Sequence, residues 1–593
     1  MNFEVLIVFV VLAFILVSLY FEILGPSFTF VIAISVLGVS RILTPAEILS
    51  GFANVQLVVI LLLLLLGDIF RQTPIMEMLF DKVFKGARTY KGFMLRMMTL
   101  VAGFSAFLNN TPLVAIMMPY VHNWSKRNNT SPSKLLIPLS YAAILGGCAT
   151  LIGTSTNLIV NGMVLDQEII PGLPSLDMFD FFPVGAAMAV IGIAYMLLFS
   201  KKLLPERKDA MSQFRSRNRE YILQTQINEG SPLAGKDIRN ESLDRLKGLY
   251  LVEVIRDNER IPAISLTTQL RVNDQLVFAG DTETIADIIT QTDSGLSFPT
   301  LGSLQESKNS EVVEVVISHN SSLIGKTVME ANFRGRYDAA IIAIHRNGER
   351  ISGKITFQKL KAGDVLLLFV GKSFESRSAG TLDFYYISKV KAHRKLANWQ
   401  YFVLFGGTGL AILLSALRLV PLFTSLLVLI ILINMLKIYP PKDIPKSIDY
   451  ELAMVIALSL ALGTAMLKTG VAEMLANSLI SIFLPFGKVA LLAGIFLITS
   501  LLANLITNKA AVALIFPISL TMASNLSLPP QPFILVVAFA AAANFMTPIG
   551  YQTNLMVYGP GGYSFRDFFK IGFPLTILYM AATVTILGLT YLR

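Results

Sequence analysis

Charge is scarce in this chain. Of its 593 residues 15% are charged and 54% hydrophobic, whereas a water-soluble domain carries about 25% charged residues. That shortage excludes a wholly soluble protein, and the mean hydropathy of +0.63 points to lipid as part of the solvent. Cysteine is nearly missing. Cys148 stands alone, so neither an internal disulfide nor a multi-cysteine zinc site can form. Four scattered histidines offer no metal cluster. No phosphate loop is present: Gly325-Lys326-Thr327 would need a glycine at position 320, which is Asn320. A Gly-x-Gly-x-x-Gly dinucleotide fingerprint is also missing, so neither an ATPase nor NAD chemistry has support. The net charge of +10 fits an excess of basic residues on one membrane face better than nucleic-acid binding. The run Val5–Tyr20 has no basic stretch before it and no small-residue cleavage site, and reads as a retained membrane helix.

What is present is uneven. Residues 1–204 and 399–593 are apolar; residues 205–398 hold most of the charge. A crossing needs about 20 apolar residues. Candidates are Phe3–Leu24, Phe28–Leu43, Val55–Phe70, Leu135–Val164, Phe179–Ser200, Tyr401–Leu417, Leu422–Leu436, Leu452–Leu467, Phe533–Val557 and Ile571–Leu592. Two more stretches, 92–121 and 489–523, carry polar residues near their middles. A re-entrant helical hairpin with its tip in a protein-lined cavity keeps those groups out of lipid. Basic clusters at Lys82–Lys91, Lys126–Lys134, Lys201–Lys208, Lys389–Lys395 and Lys437–Lys446 fall on one side if the spans alternate. That side is expected to be cytoplasmic, in a multi-pass protein of the plasma membrane with residues 205–398 inside the cell.

The two apolar regions repeat each other. Gly67, Thr73, Glu77, Met78 and Leu79 recur as Gly463, Thr469, Glu473, Met474 and Leu475; Asn110 recurs as Asn508, and Asn157 as Asn554. An odd number of crossings per copy turns the copies upside down relative to each other, the usual build of secondary transporters. The expected fold is therefore an α-helical polytopic membrane protein with two inverted repeats and re-entrant hairpins, and two small α+β domains inserted in the middle.

In each copy a hairpin tip is followed by a helix break. The tips are Asn109-Asn110-Thr111-Pro112 and Thr507-Asn508-Lys509; the breaks are Gly153–Asn157 and Thr547-Pro548-Ile549-Gly550 through Asn554. Glycine and proline unwind helices and free backbone groups. Half-helix N-termini suit an anion, while freed carbonyls and Asn/Thr oxygens suit Na⁺. The bland alternative is that these polar residues only join helices. Lys509, opposite Thr111 in the repeat, is a charge at membrane depth and so a candidate for binding the anion or replacing a cation; snorkelling to the surface is its ordinary alternative.

The doubled motif resembles the divalent anion/sodium symporter family, across both apolar regions. The resemblance implies a first sodium site framed by Ser105, Asn109, Asn110, Gly153 and Asn157. A second would use Asn508, Gly550 and Asn554, although Lys509 and Ala503 stand where that family has threonine and a hydroxyl. It implies an anionic substrate facing Asn110, Thr111, Pro112, Asn508, Lys509, Thr547 and Pro548, and an elevator motion against a homodimeric scaffold. A cation/proton antiporter or proton-coupled carrier built on Lys509 and Asp68, and a ligand-gated channel, remain as rivals.

Residues 221–390 contain a second repeat, offset by 90 positions: Arg256 and Asp274 recur as Arg346 and Asp364, and Gly235-Lys236 as Gly325-Lys326. Each copy reads as short strands with one or two helices. The two units, 221–300 and 305–390, resemble the C-terminal domain of potassium-conductance regulators. That resemblance implies dimerising, regulatory modules that sense a small ligand, a cyclic dinucleotide among the candidates.

Overall fold

The computed structural model describes residues 3–21, 23–71, 83–84, 86–87, 89–207, 222–231, 234–236, 249–257, 259–262, 269–280, 296–297, 312–319, 321–346, 349–351, 357–370, 373–378, 381, 383–386, 398–441, 444–448 and 450–592. Thr73, Glu77, Met78 and Leu79 of the repeat, and the basic residues Lys82, Lys85, Arg88, Lys208, Lys389, Lys391, Arg394, Lys395 and Lys442, lie outside these.

Among the described residues six helices are long and apolar enough to cross a membrane: Phe3–Tyr20, Phe182–Leu203, Trp399–Ala416, Tyr450–Lys468, Lys488–Leu505 and Phe565–Tyr591. A seventh arises if Pro45–Ala53 and Val55–Phe70, bent by 40°, form one span. The other expected spans are short or divided. Pro26–Val39 and Leu422–Met435 have 14 residues each, about 21 Å of helix at 1.5 Å per residue. The stretch 135–164 splits into Leu136–Gly147 and Ser155–Asp166, and 530–558 into Pro530–Ala542 and Gln552–Tyr558. The first gap opens at Cys148, earlier than the Gly153 expected, so Asn157 lies in the first turn of the helix that follows.

Both stretches with polar middles form two helices meeting at a non-helical tip: Tyr90–Ser105 with Asn110–Arg127, and Lys488–Leu505 with Asn508–Asn525. The tips end in capped helix starts. Asn109 Oδ1 accepts from the Thr111 N–H at 3.1 Å and Thr507 Oγ1 from the Ala510 N–H at 3.2 Å, satisfying donors that would otherwise be orphaned in apolar surroundings. Leu136–Gly147 and Pro532–Ala542 are buried on every side, as helices apolar all round should be. At the periphery, Phe402, Leu410 and Leu413 of one helix and Val428, Ile431 and Met435 of the next are exposed; in an apolar solvent such faces carry no penalty.

The insert holds two five-stranded antiparallel sheets of one topology. Strands β1 (Ile222–Ile227), β2 (Leu249–Arg256), β3 (Glu259–Pro262), β4 (Gln275–Gly280) and β5 (Leu296–Ser297) run in the order β3-β2-β4-β1-β5. Strands β6 (Val312–Ile317), β7 (Ala339–Arg346), β8 (Glu349–Arg350), β9 (Val365–Val370) and β10 (Phe384–Tyr386) run as β10-β6-β9-β7-β8, the same order read backwards. The bulge recurs too, at Leu251/Glu253 and Ile341/Ala343. Arg256 forks onto Asp274 at 2.8 and 2.7 Å, and Arg346 onto Asp364 at 2.7 and 2.7 Å, a bidentate geometry that ties the end of β2 to the start of β4, and β7 to β9. In the second copy Asp383 accepts from Tyr337 Oη at 2.6 Å and Arg336 Nη2 at 3.1 Å. Burial and the adjoining carboxylate push the Tyr337 phenol up, which keeps it a donor.

The second copy sits directly on the membrane portion. Val316, Val365 and Tyr385 belong to the same buried apolar cluster as the membrane helices. At Gly559, just after the helix Gln552–Tyr558, an added Cβ would lie 2.4 Å from Gly363 O.

Candidate functional site

Four elements distant in sequence meet through their first-turn residues. Asn110 Nδ2 donates to Tyr551 Oη at 2.7 Å, and Thr111 Oγ1 to Gln552 Oε1 at 2.9 Å, joining the first tip to the second break. Asn508 Nδ2 donates to Thr156 Oγ1 at 3.3 Å, joining the second tip to the first break. Thr154 Oγ1 lies 3.1 Å from Tyr551 Oη and joins the breaks. Thr154 and Tyr551 are each other's counterparts in the repeat, so this bond links equivalent positions. Asn110, Thr154, Thr156 and Thr553 are buried, as is Pro548; Asn109, Thr111, Pro112, Asn508, Lys509 and Thr547 are half-buried. A small, mostly apolar cleft opens beside Asn109, Gly153, Thr154 and Ser155, walled by Leu63, Phe70 and Thr408 among others.

The backbone around each break is braced the same way twice. Asn157 Nδ2 donates to Thr150 O at 2.8 Å, and Asn554 Nδ2 to Thr547 O at 3.2 Å, each seven residues back. Thr150 Oγ1 donates to Ala106 O and Thr547 Oγ1 to Asn504 O at 3.3 Å, each tying a break to its own hairpin. A Cβ at Gly153 would lie 2.5 Å from Gly147 O and 2.8 Å from Ser105 O; one at Gly550 would lie 3.1 Å from Ala503 O and 3.0 Å from Asn544 Cγ. Even the flanking helices repeat: a Cβ at Gly185 would strike Cys148 O (2.6 Å) and Ala149 Cα (2.4 Å), and one at Gly572 Phe545 O (2.0 Å) and Met546 N (2.9 Å). Backbones that approach as closely as at Gly153, Gly185 and Gly572 admit only glycine.

The donor sets differ. In the first half Ser105 Oγ reaches Asn110 Oδ1 and, at 2.6 Å, Ala143 O. With the carbonyls of Gly147 and Ser105 beside Gly153, this is a buried group of oxygens without a carboxylate, and Asn157 Oδ1 nearby is buried with no hydrogen-bond partner. Such an all-oxygen set, rich in carbonyls, fits a small hard cation of low charge. In the second half Asn508 turns to Thr156. Gly550 O accepts from Asn544 Nδ2 at 2.8 Å, and Asn554 Oδ1 lies 2.6 Å from Ser140 Oγ. Asn508 is thus turned across the site, while Gly550 and Asn554 both engage Asn544. Among the described residues no group of His, Cys, Asp or Glu could hold a metal ion. Asp68 accepts from Tyr439 Oη at 3.4 Å. The Lys509 N–H donates to Asn508 Oδ1 at 2.9 Å, closing a one-residue turn at that tip.

Tyr551, Gln552, Thr154, Thr156 and Asn544 were not singled out by the sequence reading. The first four stand inside the quoted break motifs, and their position in the first turn after a glycine was the available signal. Asn544 precedes the break and carried none.

Broken helices and hairpins braced against one another within a polytopic helical protein define a membrane transporter, and no enzyme. Residues 6–416 and 410–593 match the citrate transporter family model, so the chain belongs to that family, among the divalent anion/sodium symporters of the ion transporter superfamily. It is 33% identical over 559 residues, 92% of this chain and 94% of the relative, to a protein of Chlamydomonas reinhardtii named as a candidate sulfur deprivation response regulator. An uncharacterized transporter of Synechocystis is 32% identical over 620 residues, covering 100% of this chain and 98% of its own. Sodium/sulfate cotransporter 1 of Chlamydomonas reinhardtii is 24% identical over 793 residues, covering 97% and 88%.

Proposed function

We propose that this chain is a secondary active transporter of the plasma membrane that couples Na⁺ to the uptake of a small divalent anion, sulfate or a di- or tricarboxylate. The observation that carries this reading is the meeting of both tips and both breaks through Asn110–Tyr551, Thr111–Gln552, Thr154–Tyr551 and Asn508–Thr156. Helix N-termini starting at Asn110, Ser155 and Asn508 point their positive ends to one region, and Lys509 adds a full charge there. Thr111, Pro112, Thr547 and Pro548 complete the anion's surroundings. Sodium is held at Ser105, Asn109, Asn110, Gly153 and Asn157, where it offsets the anion's charge. The names of the sulfate-cotransporting relatives and the citrate label of the family both support a multiply charged oxyanion.

The recurring bonds on both sides of the site support two repeats, inverted as the span parity requires, and an elevator motion of the hairpins and breaks against a homodimeric scaffold that includes the exposed helices 398–416 and 422–435. The insert is the cytoplasmic regulator in this reading. Its second copy bears on Leu555 and Gly559 of the second break helix, so an effector such as a cyclic dinucleotide that shifts the copy would bias that helix.

The test is uptake of labelled sulfate, succinate and citrate into proteoliposomes with and without an inward Na⁺ gradient. Sodium-dependent accumulation of one of them is expected. Accumulation driven by a proton gradient alone would replace the sodium reading with the proton-coupled one.

A further inference from the structure

The cleft, the buried His122 and the insert's surface each lead back to features already described or show nothing of what they would bind; the mismatch between the two cation sites does not. We infer that the amide of Asn544 stands in for the second coupling cation, so that each chain binds a single Na⁺, on the Ser105 side. This rests on the sodium reading above.

Position 544 is the counterpart of Gly147. A Cβ at Gly147 would lie 2.9 Å from both amide atoms of Asn110 and 3.0 Å from Gly153 O. A side chain at this position and the tip asparagine therefore compete for one space. In the first half glycine yields it, and Asn110 brings Oδ1 to Ser105 Oγ. In the second half Asn544 fills it, wholly buried, with Nδ2 donating to Gly550 O at 2.8 Å, and Asn508 is left to bond Thr156 across the site. The remaining groups agree. Ala503 has no hydroxyl where Ser105 has one, and Asn554 Nδ2, beyond the Thr547 O bond that Asn157 matches in the first half, donates to Asn544 O at 2.6 Å. N–H donors aimed at the carbonyls give them what a cation would give and repel one that approaches. Asn544 Oδ1 is buried without a hydrogen-bond partner, the feature that a rival assignment of Asn544 as a cation ligand would use, and the test separates the two.

The experiment is equilibrium binding of ²²Na⁺ to the purified full chain, alongside the Na⁺ concentration dependence of sulfate uptake. The wild type should bind one Na⁺ per chain with a hyperbolic uptake response. Ser105→Ala should bind it at least about 10-fold more weakly. Ala503→Ser with Asn544→Gly, which copies the first half, should bind two and turn the response sigmoidal; Asn544→Gly alone, the milder change, should keep one. Two bound Na⁺ in the wild type, falling to one in Asn544→Gly, would overturn the inference and leave the sodium reading standing. No bound Na⁺ in the wild type would overturn both.

Discussion

The two ends of the site share a backbone and differ in side chains. Gly153 and Gly550 face matching carbonyls, Thr150 and Thr547 tie matching breaks to matching hairpins, and Asn157 and Asn554 reach the same distance back. Against that frame Ser105 opposes Ala503, Gly147 opposes Asn544, Thr111 opposes Lys509 and Thr154 opposes Tyr551. The contrast teaches that backbone geometry alone does not make a cation site. At one end oxygens are left facing a small space; at the other, amide hydrogens occupy it. A charged lysine then begins the helix on the side where, in our proposal, no sodium binds.

The largest expected effect breaks the first end. Asn110→Ala removes the amide that meets both Ser105 and Tyr551, and leaves a buried hydroxyl and phenol without it. Uptake should fall on the order of 100-fold, the cost of removing two buried hydrogen bonds at once, measured as initial rate at equal surface expression. Asn508→Ala, half-buried and losing one long bond across the site and a local one to the Lys509 N–H, should cost roughly 10-fold. Next, Gly153→Ala drives a methyl to 2.5 Å from backbone, and overpacking of that kind costs about 1–3 kcal/mol; uptake should drop by at least about 10-fold. Gly550→Ala meets its nearest atom, a side-chain carbon, at 3.0 Å and should lose no more than about 3-fold. Equal effects in the pair would mean that the ends are functionally alike. A smaller effect is expected where the second break meets the insert. Gly559→Ala should keep most of the transport and make the insert more readily released by limited proteolysis, because a Cβ there falls 2.4 Å from Gly363 O. Thr154→Val removes one 3.1 Å bond and should lower uptake by about 2–5-fold; Tyr551→Phe, which also loses Asn110, should do more.

Much of this was readable from residues. Long apolar runs gave the helices, and polar residues in mid-run gave the hairpins, because a membrane leaves so few ways to satisfy them. The offset of 90 gave the insert's strands and marked the recurring Arg and Asp residues, but not that the fold pairs them. Asn110, Asn508, Asn157 and Asn554 were visible because they recur. What recurs is also what hides the difference between the ends. Ala503 shows in the sequence as a missing hydroxyl. Asn544 shows as nothing, since its importance depends on a glycine 397 positions earlier and on a space that exists only after folding. Gly185 and Gly572 were hidden likewise, because the loops before them differ in length and shift the second offset. The division of 135–164 and 533–557 was legible in Gly153–Asn157 and Thr547–Asn554; what composition could not show is that the first gap opens already at Cys148.

The most direct test of the account is the Na⁺ dependence of sulfate uptake in Ser105→Ala, set beside Ala503→Ser. The hydroxyl of Ser105 meets Asn110 Oδ1 and Ala143 O, so its loss should raise the half-saturating Na⁺ concentration by at least about 10-fold, while a hydroxyl added at 503 should leave it unchanged. A wild-type sodium response in Ser105→Ala would contradict the account.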